Sequence, residues 1–194
     1  MRLSQPSRAF TLIELLIVVA IIAILALIAV PNFLEAQVRA KISRVRAEMR
    51  ALAVGLEAYR LDEPAYPPYV RPGGVRVQPT SARLRPLTTP TSYITSIPMD
   101  IFAVQKQDRN YDTYDYVDEE SPYLYFAAPY DYQWTYGYAW IMNSMGPDLL
   151  NQYRSLGYPD MFYDPTNGTV SWGDIVRAGP RGQYFPKEYV PIPD

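Results

Sequence analysis

The feature that most constrains this chain is the run from Phe10 to Val30, FTLIELLIVVAIIAILALIAV, twenty-one residues in which Glu14 is the one charged side chain. At about 1.5 Å of rise per residue, a helix of this length reaches about 31 Å, enough to cross a hydrocarbon core of about 30 Å. A secretory signal would carry a shorter apolar stretch of roughly 7 to 15 residues, closed by a small-residue cleavage site. The preceding MRLSQPSRA, Met1 to Ala9, has Arg2 and Arg8 as its only charges. A basic flank before a first span predicts that this end stays in the cytoplasm. Residues 10–31 are therefore expected to form a single membrane-spanning helix, with residues 1–9 in the cytoplasm and the chain that follows the span outside it.

Beyond the span, Val38, Ile42, Val45, Met49, Leu52, Leu56 and Tyr59 recur in steps of four and three, with Arg, Lys and Glu between them. That spacing predicts an amphipathic helix over residues 32–61, ended by Pro64. Its stripe has two outlets: packing on the chain's own C-terminal part and on neighbours, or a coiled coil of about three heptads. Pro31 removes the backbone hydrogen bond to the carbonyl of Leu27. Asn32, followed by Glu35, has the spacing of a capped helix restart. The junction is thus expected to be a kink in one continuous helix or a break between two.

Charge and composition remove several function classes. Residues 62–194 hold ten Lys or Arg against sixteen Asp or Glu, a net of -6, whereas residues 32–61 carry six against three, a net of +3. An acidic C-terminal part is poorly suited to gripping nucleic acid through its phosphates. The chain has no cysteine and no histidine. Disulfides, thiolate chemistry, Ser-His-Asp and Cys-His catalysis and the HExxH zinc site are therefore excluded, and no catalytic spacing of carboxylate, Lys, Ser or Tyr is present.

From Asp62 onward Pro, Gly and Tyr dominate and the helical period is lost, predicting an extended exit and a loop-rich β head over residues 62–194. Tyr130 to Trp140, YDYQWTYGYAW, alternates aromatic with small or polar residues, so one strand would carry six aromatics on one face. Shorter alternations at Tyr114 to Tyr116 and Tyr123 to Tyr125 suggest partner strands. The aromatic face fits either a core packed on the stalk helix or a carbohydrate platform. The expected fold class is α+β: a long N-terminal helix, kinked near Pro31, packed by its C-terminal half on a small antiparallel sheet with extended loops.

Taken together, Ala9-Phe10-Thr11-Leu12-Ile13-Glu14-Leu15-Leu16, the apolar run and AVPNF at Ala29 to Phe33 resemble the prepilin N-terminus shared by type IV pilins and type II secretion pseudopilins. The resemblance covers Ala9 to about Asp62. One residue departs from it, since Ala9 stands where the family usually has Gly. The resemblance implies that a prepilin peptidase and N-methyltransferase cuts between Ala9 and Phe10 and methylates the new Phe10 amine. It implies further that subunits leave the inner membrane, through an assembly platform and ATPase, to form a homo-oligomeric helical filament with minor pseudopilins, and that the head is periplasmic.

Glu14 gains a role in that setting. A carboxylate at the centre of a span costs about 2.5 to 3.5 kcal/mol by insertion scales and marks a functional site by default. Pairing of Glu14 with the Phe10 amine of a neighbouring subunit would neutralise both charges and set the register, while Pro31 permits local stretching. The plain alternative is a simple signal anchor whose Glu14 snorkels to the interface.

Two acidic loops extend the resemblance. NSMGPDLLNQ, Asn143 to Gln152, resembles the Ser-x-Gly-x-Asp loop of major pseudopilins, which helps bind calcium there, though Leu149 replaces the usual Gly after that Asp. YDPTNGTVSWGD, Tyr163 to Asp174, resembles the loop that follows it. Calcium takes about six to eight oxygens, and the candidate ligands are Asp148, Asp164, Asn167, Ser171 and Asp174; two ordinary turns are the alternative. The resulting expectation is a filament subunit of the type II secretion kind, with an adhesion or motility pilin, or a signal-anchored carbohydrate-binding module, as the other readings.

Overall fold

In a computed structural model that describes residues 10–103, 110–118, 139–150, 163 and 173–180, the apolar run and the amphipathic stretch form one helix, α1, Leu12–Asp62. Pro31 lies inside it. The expected capped restart does not occur, because Asn32 and Glu35 are interior positions of an unbroken helix. Starting a second helix would require a new and costly nucleus, whereas a proline within an existing helix forfeits one ladder bond. Contacts divide the chain into two units, Met1–Gln37 and Val38–Asp194.

In the first unit every described apolar side chain of the run is exposed, from Phe10 and Leu12 to Val30 and Phe33. One 18-residue window is long and apolar enough to cross a membrane, and none of it is buried.

In the second unit the stepping stripe is the centre of the core. Ile42, Val45, Met49, Leu52 and Leu56 are buried, with Val38 and Tyr59 packed at the edge. The stripe thus packs on the chain's own head. Opposite it stands a three-stranded antiparallel sheet in the order β3-β4-β5, comprising β3 Asp115–Asp118, β4 Trp140–Ser144 and β5 Ile175–Gly179. Pairing of Tyr116 with Met142, and of Met142 with Arg177, fixes the register. Tyr114, Tyr116, Trp140, Met142 and Ile175 join the helix stripe in one cluster. Trp140, expected to close an aromatic strand, instead opens β4. The aromatics Tyr130, Tyr132, Trp134, Tyr136 and Tyr138, and the Tyr123 to Tyr125 strand, lie outside the described residues.

Two glutamates of α1 tie helix to sheet. Glu48 accepts from the Tyr114 hydroxyl at 2.6 Å and from Arg44 Nε at 2.7 Å. Glu57 accepts from Trp140 Nε1 at 2.8 Å and from the Tyr66 hydroxyl at 3.1 Å. Burial, then the hydrogen bond to Glu48, pushes the Tyr114 phenol far above its ordinary range, so it remains a donor.

Between helix and sheet lie a hairpin, β1 Val70–Arg71 with β2 Val75–Arg76, then α2 Thr80–Leu84 and a single 3-10 turn, η1 Arg85–Leu87. The loop after η1 laps back over α1. A Cβ on Gly55 would stand 2.6 Å from Cγ2 of Ile94, so the glycine makes room for that isoleucine. Tyr93 donates its hydroxyl to Asp62 at 2.8 Å and meets Tyr59 edge-on at 5.5 Å.

Candidate functional site

The first candidate site is the start of α1. Thr11 and Glu14 close a reciprocal hydrogen-bonded box. The Glu14 amide donates to Thr11 Oγ1 at 3.3 Å, while Glu14 Oε2 accepts from the Thr11 amide at 2.9 Å and from its hydroxyl at 2.6 Å. This is a capping box of the Thr-x-x-Glu form, satisfying orphan amides of the first turn. Its carboxylate also lies at the positive end of the helix dipole. Sequence reasoning assigned Glu14 to a neighbour alone and overlooked this partner, although the Thr11-to-Glu14 spacing carries the signal. Phe10, just outside the box, is 73% exposed. Ala9 and the rest of the leader lie outside the described residues.

The second candidate site is where two loops of the second unit meet. Gly146, with φ of +67°, begins the turn after β4, and a Cβ there would fall 2.5 Å from the carbonyl oxygen of Gly173. Asp148, half-buried, accepts from the Leu150 amide at 3.1 Å and from the Gly173 amide at 3.4 Å. Asp174, fully buried, accepts from Asn143 Nδ2 at 3.3 Å, and its carbonyl accepts from the Tyr163 amide at 3.0 Å. The loops carrying Asp148 and Asp174 are therefore in contact. Asp164, Asn167 and Ser171 lie outside the described residues. Among the described residues no group of three or more carboxylate-class ligands is gathered for a metal.

Leu149 adopts φ of +60°. This is the position where Gly was expected by resemblance. A side chain in that region costs roughly 1 to 2 kcal/mol, so the turn keeps its backbone shape despite the substitution.

Asp100, 1% exposed, sits close to this turn. It accepts from the Phe102 amide at 2.9 Å. Burial raises its carboxyl above the ordinary range, against hydrogen bonds from Phe102, Ser144 and the backbone of Ala103 and Met145. Asp112 shows the opposite balance: burial alone would raise it, but hydrogen bonds from Ser81 and Thr80 together hold it below the ordinary range. With a raised value, the native state holds the Asp100 proton over a window in which the unfolded chain has lost it. Stability therefore falls as pH rises through that window. Asp100→Asn keeps the acceptor without the charge. Its melting temperature is expected to gain on the unaltered chain between pH 4 and pH 7, and parallel pH profiles would exclude this.

The comparisons bear on the first site most directly. The family described as the prokaryotic N-terminal methylation motif matches residues 5–30. The type IV major pilin protein PilA of Myxococcus xanthus is 43% identical over 65 residues, covering 34% of this chain and 30% of its own length. The type II secretion system core protein G of Pseudomonas aeruginosa is 40% identical over 58 residues, covering 30% of this chain and 41% of its own. Its counterpart from Dickeya chrysanthemi is 28% identical over 106 residues, 54% of this chain and 69% of its own. The matched stretch thus spans less than half the length of the first two relatives. No solved structure matches the chain significantly. With the methylation motif across residues 5–30, and one long helix packed on a small antiparallel sheet, the chain is similar in its N-terminal part to type IV pilins and type II secretion pseudopilins.

Proposed function

We propose that this chain is a filament subunit, cut between Ala9 and Phe10 by a prepilin peptidase, N-methylated on Phe10 and assembled through α1. The observation that carries the reading is the exposed apolar run from Phe10 to Val30, whose only charge, Glu14, lies in the first turn of α1 beside the new N-terminus. An exposed run of this kind is unstable in water, and its two suitable surroundings are lipid and other copies of the same helix. Storage in the inner membrane, with the N-terminus cytoplasmic and the head periplasmic, precedes transfer by an assembly platform and ATPase to a filament that includes minor pseudopilins. Mass spectrometry of exported protein tests the first step: a methylated Phe10 is expected at the N-terminus, and an intact Met1 would exclude it.

A type II secretion pseudopilus, serving protein transport, is the favoured setting. The contact between the Asp148 and Asp174 loops supports it, because calcium held there, with Asp164, Asn167 and Ser171 completing the donors, would bind two chain segments into one unit. Calcium is then expected to raise the melting temperature relative to chelator, by about 2.7 kcal/mol of stability at a hundredfold excess over its dissociation constant. An unchanged melting temperature would remove it. Similarity to the Myxococcus pilin supports the second setting, a surface pilus for adhesion or motility. Of the six aromatics that would form a carbohydrate platform, Trp140 is buried and the other five lie outside the described residues.

A further inference from the structure

The head is net -6 over residues 62–194, and among its described residues Arg71 and Arg85 are exposed basic side chains, the first of them on a hairpin. That hairpin is the one of β1 and β2, whose turn Arg71-Pro72-Gly73-Gly74 is closed by the Gly74 amide donating to the Arg71 carbonyl at 3.0 Å. Gly73 and Gly74 have φ of +100° and +79°, and a Cβ on either would meet nothing within 4 Å, so the tip stands open. The base is fixed: the Tyr69 amide donates to Asp118 at 3.2 Å, Val77 to the Tyr69 carbonyl at 2.9 Å, and Arg83 Nε to the Val77 carbonyl at 2.8 Å. A two-stranded hairpin alone is marginal. Anchored in this way, it presents exposed Arg71 and the 64% exposed Val75 in a set position.

A complementary oddity lies at the end of α1 that precedes the hairpin. Asp62 and Glu63 are both exposed at the C-terminus of α1, where the macrodipole is negative and favours cations. Asp62 has the Tyr93 hydroxyl as its partner. Arg60 in the last turn donates to the Glu63 carbonyl at 3.0 Å and partly compensates the helix end, whereas the Glu63 carboxylate and Arg71 each have no ion-pair partner among the described residues. One contact between two copies would supply both.

We propose that the Arg71 hairpin tip of one subunit docks on the Asp62–Glu63 helix end of the next. The two patches differ, so the contact is heterologous, and repetition of a non-closing heterologous contact generates an open filament. The docking rests on the filament reading above and adds to it a charge-matched contact between heads.

The test uses the full chain expressed with its assembly machinery, reading pelletable filaments. Arg71→Glu and Glu63→Arg are each expected to lower the yield by about tenfold, since like charges now face each other across the contact. The double variant restores it. Because the chain has no cysteine, Gly74→Cys combined with Glu63→Cys is expected to give an oxidised ladder of subunits that neither single variant gives. Normal yield from Arg71→Glu, or a double variant no better than the singles, overturns the docking while leaving the filament reading intact. Loss with Arg71→Glu but not Glu63→Arg assigns the hairpin a different receiver and also overturns it. Absence of filaments from the unaltered chain overturns both.

Discussion

A Glu14→Ala chain is expected to enter the membrane at least as readily as the unaltered chain and to yield few or no filaments. Entry improves because the variant no longer carries a carboxylate into the span. Assembly fails because the Phe10 amine, with a reference pKa of roughly 8, is still largely cationic at pH 7 and would be buried among apolar helices without a counter-ion. Breaking one side of a buried pair costs about 3 to 5 kcal/mol. At about 1.4 kcal/mol per decade, that is on the order of a hundred- to a thousandfold or more in subunit association. Thr11→Val separates this role from capping. It removes the hydroxyl that bonds Glu14 while leaving the carboxylate, so helix stability should drop by about 1 kcal/mol and filaments should persist. Counting sheared filaments from the three strains is sufficient, and equal numbers from Glu14→Ala would end the pairing account.

The largest effect on the fold itself is expected at Arg83. This side chain is 1% exposed and makes an ion pair with Asp115, whose own exposure is 3%. It also donates to the carbonyls of Val77 and Tyr116 at 2.8 and 3.0 Å and lies 4.4 Å from the centre of the Tyr69 ring. One guanidinium therefore joins the hairpin, α2 and the sheet. Arg83→Met is expected to destabilise the protein by about 3 to 5 kcal/mol, because Asp115 is left charged and buried. Adding Asp115→Leu should recover much of the loss, as replacement of a whole buried pair by apolar groups is often close to neutral. Denaturant unfolding of the full chain in detergent measures both; a single variant within 1 kcal/mol of the unaltered chain would contradict the account.

Much of α1 was legible because it obeys one period. The stripe from Val38 to Tyr59 identified both the helix and its buried face, and the end at Asp62 lies one residue beyond expectation. The sheet was harder for a physical reason. Alternation reveals a strand when one face is wet, but β3 and β4 are buried at every position and β5 at all but Arg177. Asp115 and Asp118 read locally as surface residues. Their partners, Arg83 and the Tyr69 amide, lie 32 and 49 residues away. The same distance problem hid Glu48 and Glu57, which look solvent-directed until Tyr114, Tyr66 and Trp140 fold back onto them. Meeting of the Asp148 and Asp174 loops was legible through resemblance, since nothing in either loop alone requires the other. Passage of one helix through Pro31 was one of two outcomes the sequence allowed, since the local signals also fit a restart, which the energetics of the whole helix oppose.

The Thr11 box has a thermodynamic consequence for growth. On the proposed filament function, a subunit waiting in lipid already has Thr11 as a partner for its carboxylate, so joining a filament would exchange one partner for another instead of rescuing an orphan charge. The free energy gained at Glu14 is then a difference between two satisfied states, smaller than the full strength of either. Growth driven by small differences is reversible, and a departing subunit leaves no stranded charge on re-entering the bilayer. Under that proposed function, the same molecules would thus be drawn from a standing pool, extended and returned to it at little electrostatic cost.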